Sequence, residues 1–133
     1  MLLSMQKLLR HKMTARNNIT EKPWGYETLW AQTKDYVGKF LHINPGCRLS
    51  LQYHKEKEET IYVLSGILLI WLSEDNNDYI VVGEGTAYHV EPNQIHRFGA
   101  PDEQQGDTVL VEVSTNYLED VVRLADDYSR TNN

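Results

Sequence analysis

At 133 residues the chain fits one domain, and a hydrophobic content of 41% supplies a core and excludes general disorder. The net charge of −6 excludes a broad nucleic-acid-binding surface, though not a few local cations around a phosphorylated ligand. Cys47 is the single cysteine, so no internal disulfide can form, which fits a reducing cytoplasm. At the start, Leu2, Leu3, Leu8 and Leu9 are interspersed with Lys7, Arg10 and Lys12. The apolar run is broken at Ser4, Gln6 and Lys7, unlike a signal peptide, and no stretch approaches the ~20 apolar residues of a membrane span. Residues 1–18 are expected as an irregular or short helical arm and residues 19–133 as the folded domain. The alternative for the arm is that its leucines cover a neighbouring subunit.

Past Asn18 the pattern is mostly strand. Short runs rich in aromatic and branched residues predict strands over 26–31, 36–43, 48–54, 59–64, 67–72, 79–82, 86–90 and 108–114. Turn formers separate them: Asn44-Pro45-Gly46, Ser65-Gly66, Asp75-Asn76-Asn77, Gly83-Glu84-Gly85 and Pro92-Asn93. Many short strands at this spacing predict an all-β sandwich or barrel. One helix is expected after them, over 118–128. Leu118, Val121, Val122, Ala125 and Tyr128 fall on a single stripe, and Glu119 and Asp120 sit in its first turn, where the helix dipole favours negative charge.

Alternation in the strand over 48–54 puts Arg48, Ser50, Gln52 and His54 on one face, with Leu49, Leu51 and Tyr53 on the other. The first set is too polar for an ordinary core. Facing a barrel interior, it would line a ligand site. Glu59 begins the next strand, and a hairpin can bring it back beside His54, whereas His96 must arrive from the far side. Taken singly, each of these residues is more often structural, and the charged run 55–59 could be a solvated turn. The frame Gly46, five residues, Gln52-Tyr53-His54, four residues, Glu59, six residues, Gly66 is nevertheless a long pattern to meet by chance. Gln52, His54, Glu59 and His96 would offer two imidazole nitrogens and two oxygens, enough for one divalent metal with open positions. His11, His42 and His89 are read as non-ligands. Glu112 lies opposite Val109, Val111 and Val113. It is a candidate general base if its face is interior, the alternative being an exposed ion pair with a lysine. Lys39, Arg48 and Arg97 are candidates for phosphate or oxyanion contact, with Arg48 favoured because it shares the face of Ser50, Gln52 and His54. Arg123 and Arg130 are assigned to packing and surface pairing.

Several segments resemble the cupin domain of type II mannose-6-phosphate isomerases. They are Glu21-Lys22-Pro23-Trp24-Gly25-Tyr26-Glu27, Pro45-Gly46-Cys47-Arg48-Leu49-Ser50-Leu51-Gln52-Tyr53-His54 and His96-Arg97. The stretch from Val111-Glu112-Val113 through Tyr117-Leu118 to Asp126-Asp127-Tyr128-Ser129-Arg130 adds to them. That domain also forms the C-terminal part of bifunctional phosphomannose isomerase/mannose-1-phosphate guanylyltransferases. The similarity covers roughly residues 20 to 130, and its most specific part is Leu49-Ser50-Leu51-Gln52-Tyr53-His54.

The resemblance implies a single cupin barrel (a double-stranded β-helix, jelly-roll-like) with a short C-terminal helix and an N-terminal arm. It implies metal ligands at Gln52, His54, Glu59 and His96, holding one divalent ion. Zinc is favoured, with manganese, iron, cobalt and nickel as alternatives. The implied activity is interconversion of mannose 6-phosphate and fructose 6-phosphate, with Glu112 and Arg48 as catalytic residues and Lys39, Arg48, Ser50 and Arg97 on the substrate. A cytoplasmic homodimer with a sugar phosphate as partner, and neither nucleic acid nor membrane, completes the expectation. The sequence departs from the family pattern at Lys55-Glu56-Lys57, where a histidine-rich run is usual, at Glu91 and Asn93, and at Ser129. No nucleotidyltransferase domain is present, so guanylyl transfer is not expected. The alternatives are a cupin acting on another sugar phosphate or a nucleotide sugar, an iron-dependent oxygenase (which Gln52 counts against), and a non-catalytic sugar-binding module.

Overall fold

The computed structural model describes residues 18–130, and every regular element among them is a β-strand. In chain order these are β1 (Ile19–Lys22), β2 (Gly25–Gln32), β3 (Tyr36–Ile43), β4 (Leu51–Tyr53), β5 (Glu59–Ser65) and β6 (Leu68–Trp71). They continue as β7 (Tyr79–Val82), β8 (Ala87–Val90), β9 (Arg97–Gly99), β10 (Thr108–Thr115) and β11 (Val122–Ala125). The arm expected over 1–18 lies, Asn18 apart, outside the described residues, and so does His11. No helix among the described residues is long and apolar enough to cross a membrane.

The strands pair antiparallel throughout, in a six-stranded sheet β1-β2-β3-β10-β5-β8, a three-stranded sheet β7-β6-β9 and the pair β11-β4. Alternation sorts their side chains. In β5, Glu59, Ile61 and Val63 are buried while Tyr62 and Leu64 face out. In β10, Thr108, Leu110, Glu112 and Ser114 are buried while Val113 is exposed. Leu110 stands opposite both Leu41 of β3 and Val63 of β5, so three neighbouring strands contribute to one apolar layer. Leu68 and Ile70 of β6 and Phe98 of β9 close the same core from the smaller sheet. At the tip between β5 and β6, Gly66 takes a φ of 82°, left-handed backbone that a side chain would strain.

Two expectations need correction. The helix over 118–128 is not formed: residues 117–121 turn, and Val122–Ala125 run as β11 against β4. β4 has only three residues, with the Gln52–His96 bridge on one side and β11 on the other. Pairing satisfies its backbone groups, and the β-branched Val122 suits a strand, so this requirement overrides the helical periodicity. The regular strand over 48–54 also begins later, at Leu51, with Arg48 held only by an isolated bridge to Gly99. Alternation therefore does not carry through from Arg48 to Gln52.

Candidate metal centre

Gln52 on β4 faces His96 across an isolated antiparallel bridge. Each residue's amide donates to the other's carbonyl, at 3.0 and 2.9 Å. Residues opposed in this way project to the same side of the ladder, which brings together two side chains far apart in the chain. His96 is delivered by the turn before it, where Asn93 adopts a φ of 68° and donates its amide to the His54 carbonyl at 2.6 Å. Asparagine tolerates this left-handed backbone, so the glycine usual at this position is not needed. His54 follows β4 directly, and Glu59 opens β5.

His54, Glu59 and His96 are buried, and one ligand atom from each lies within 4.8 Å of the others. Glu59 bridges the two rings. Its Oε2 is 3.6 Å from His54 Nε2 and its Oε1 is 3.7 Å from His96 Nε2. Two ligand atoms bound to one ion at ~2.1 Å would stand ~3–3.4 Å apart, so the group is nearly closed to metal-binding distance. The tautomers are set from behind. His54 Nδ1 lies on the Asp120 carbonyl and His96 Nδ1 on the Gln94 carbonyl at 2.9 Å. A carbonyl only accepts, so each Nδ1 carries the hydrogen and each Nε2 presents a lone pair. Both Nε2 atoms are buried and have no hydrogen-bond partner among the described residues. An unsatisfied buried polar atom is costly, and two of them converging on a carboxylate fit a cation. Gln52 lines the same cavity. Its Oε1 accepts from Ser50 Oγ at 2.9 Å, which leaves the second lone pair of that oxygen for a metal.

The cavity has a volume of about 330 Å³ and reaches from β1 to β11. Lys57 crosses its floor, buried, with Nζ 3.0 Å from Glu59 Oε2 and 3.2 Å from Glu112 Oε2. Ser114 Oγ also donates to Glu112 Oε2, at 3.1 Å. Burial alone would lower the Lys57 pKa, but Glu112 and Glu59 outweigh it and hold the ammonium protonated. Burial would raise Glu59, but the Lys57 ammonium beside it holds it ionised, below the usual carboxylate range. His96 is pushed below the ordinary imidazole value by burial, which favours the neutral ring a metal requires.

The predicted site residues thus divide. Gln52, His54, Glu59, Ser50, Lys39 and Glu112 line the cavity, with His96 buried behind them. Lys39 is paired with Glu27 at 3.0 Å. Arg48 is not brought there: it pairs with Asp127 at 2.7 Å and lies 5.2 Å from the Trp71 ring centroid, on the outer side of the smaller sheet. Arg97 is a structural tie, donating to the carbonyls of Leu49 at 2.9 Å and Ala125 at 3.0 Å. His42 stacks on Tyr26, and His89 bonds Thr60 and Glu58, both away from the centre. Lys57, Arg123, Arg130, Lys22 and Asp120 also line the cavity, and sequence reasoning missed them. Counting back two residues from Glu59 puts Lys57 on its face, a signal the charged run obscured. Arg123 stands opposite Gln52 because β11 is a strand, so the helical reading hid it.

A family model described as mannose-6-phosphate isomerase, C-terminal, matches residues 10–126. Mannose-1-phosphate guanylyltransferase of Escherichia coli is 31% identical over 112 residues, 82% of this chain and 22% of that protein. Alginate biosynthesis protein AlgA of Pseudomonas aeruginosa is 30% identical over 117 residues, 83% of this chain and 22% of that protein. The chain therefore spans about a fifth of the length of these curated relatives. Among solved structures, KdgF from Halomonas sp. superposes with a TM-score of 0.65 at 15% identity, covering 76% of this chain and 89% of that one. An RmlC-like cupin from Shewanella frigidimarina superposes at 0.64 and 14% identity, covering 77% and 86%. At that identity the likeness shows the fold, an all-β cupin barrel.

Proposed function

The chain belongs to the mannose-6-phosphate isomerase C-terminal family, and from that membership we propose that it is a metal-dependent aldose–ketose isomerase interconverting mannose 6-phosphate and fructose 6-phosphate. The observation that carries this reading is the convergence of two buried, unpartnered Nε2 atoms on Glu59, in a cavity that also holds Gln52, Glu112 and several cations. A divalent ion held by Gln52, His54, Glu59 and His96 would supply Lewis-acid stabilisation of the negative charge that develops on the sugar oxygens. Zinc is the first ion to test, although this nitrogen and oxygen donor set also suits manganese, iron, cobalt and nickel.

The isomerisation moves a proton between C2 and C1 through an enediol. Glu112 is the group assigned to that transfer. As a carboxylate it takes the C2 proton of the aldose and returns it at C1, while the O2 hydroxyl gives up its proton and O1 gains one. Lys57 and Ser114 both donate to its Oε2, which fixes the carboxylate and leaves Oε1 to face the sugar. Lys57 joins Glu112 to Glu59 and so ties the base to the ligand set. The phosphate falls to Arg123 and Lys22, which line the cavity wall and can offer a bidentate guanidinium and a point charge.

The deciding experiment is a coupled assay for fructose 6-phosphate from mannose 6-phosphate on metal-quantified protein, with and without chelator. Turnover lost to chelator and restored by metal is the expected result. Protein with one ion per chain and no turnover on this substrate would overturn the assignment of the sugar and turn the search to other sugar phosphates.

A further inference from the structure

The segment between β10 and β11 carries one residue that touches the site twice. The Asp120 carbonyl receives His54 Nδ1–H. The Asp120 carboxylate receives three successive amides of the loop between His54 and Glu59. Lys55 N–H meets Oδ1 at 3.0 Å, and Glu56 and Lys57 N–H meet Oδ2 at 2.7 and 2.9 Å. Three consecutive amides aimed at one carboxylate make an anion nest, here filled by the protein's own side chain. The loop they belong to begins with one ligand, ends with another and carries Lys57 between them. Thr115 stitches its far end separately: the Thr115 amide donates to the Glu58 carbonyl at 3.0 Å, and the Glu58 amide donates to Thr115 Oγ1 at 3.1 Å.

We propose that Asp120 is a positioning residue of the metal centre, locking the His54 tautomer and ring through its carbonyl while its carboxylate holds the ligand loop in register. The two contacts are linked through one segment. The carboxylate ties the segment that carries this carbonyl to the 55–57 amides. Without it, three amides lose their acceptor, and the carbonyl is placed only by the turn's own bonds and the β11 pairing that follows. The inference rests on the metal-site reading but not on the identity of the sugar.

The test uses the full chain, with Zn²⁺ alone as probe, titrated in competition with a chromophoric chelator. Asp120→Ala is expected to weaken zinc binding about 10–100-fold, Asp120→Asn by less, and Thr115→Val by no more than about twofold. Nitrogen-15 NMR of the metal-free protein gives a second readout: His54 in the Nδ1–H form in the parent, and a mixture of tautomers in Asp120→Ala. Should Asp120→Ala fail to fold, the milder Asp120→Asn decides. Unchanged affinity and an unchanged tautomer in the Asp120 variants would overturn the proposal. So would equal weakening by Thr115→Val, since that marks general loosening of the loop. A parent protein that binds no ion would instead overturn the metal reading beneath it.

Discussion

Two neighbouring layers on the inner face of the six-stranded sheet put the same strands to opposite uses. In one, Leu41, Leu110 and Val63 stand side by side across β3, β10 and β5. Two residues further along β10, Glu112 stands between Lys39 and Ile61, with the Lys57 ammonium against its carboxylate. Leu110 and Glu112 both turn inward from β10, although the β10–β5 register shifts between Val109 and Leu110. What differs is what burial demands. The apolar layer needs only close packing. The polar layer needs a partner for every charge, and Glu27, Glu59 and Glu112 supply it for the lysines. Against that background of pairing, the bare Nε2 atoms of His54 and His96 are informative.

Breaking the polar layer should abolish chemistry and leave the fold. Glu112→Gln is expected to lower turnover by ~10²–10⁴-fold, with metal content and thermal midpoint retained. Full activity in this variant would remove Glu112 as the base and leave it a partner of Lys57. Breaking the apolar layer should do the reverse. Leu110→Ala is expected to cost ~2–5 kcal/mol in denaturant unfolding, while zinc affinity per folded molecule holds. A loss of zinc binding in that variant at low denaturant would show that the two layers are coupled.

The smallest effect is expected outside both layers, at Asp127. Arg48 holds the Asp127 carboxyl below its ordinary value near 3.8. A depressed carboxylate contributes stability that is present above its unfolded value and lost as pH falls through the lower folded one. Because Asp127 is well exposed, the contribution is screened to ~1 kcal/mol or less. Asp127→Asn should therefore narrow the stability gap to the parent as pH drops below about 3.8, with sugar KM unchanged throughout. A raised KM would return Arg48 to the substrate site, from which the geometry removes it.

Much of this was legible beforehand. Period-two alternation and the turn residues located most of the strands, and the spacing from Gly46 to Gly66 singled out Gln52, His54 and Glu59. Alternation set Glu112 opposite the valines on either side but left open which face is interior, and the structure buries Glu112. The misreadings share a cause. Leu118, Val121, Val122, Ala125 and Tyr128 do satisfy a helical stripe, and nothing local reveals that β4 presents an edge requiring pairing. Arg48 was assigned by alternation across a segment whose backbone is not regular strand. Lys57 looked like part of a solvated turn because its carboxylate partners come from β5 and β10.

The β architecture and the residue types able to hold a metal can be read from the chain, because alternation, turn chemistry and donor identity are local properties. Which of those residues meet depends on how the strands pack. The Gln52–His96 bridge, the Lys57 contacts with Glu59 and Glu112, and the hold of Asp120 on His54 all join distant segments. Such contacts form where buried backbone and charged groups must find partners, and no short-range pattern encodes that requirement.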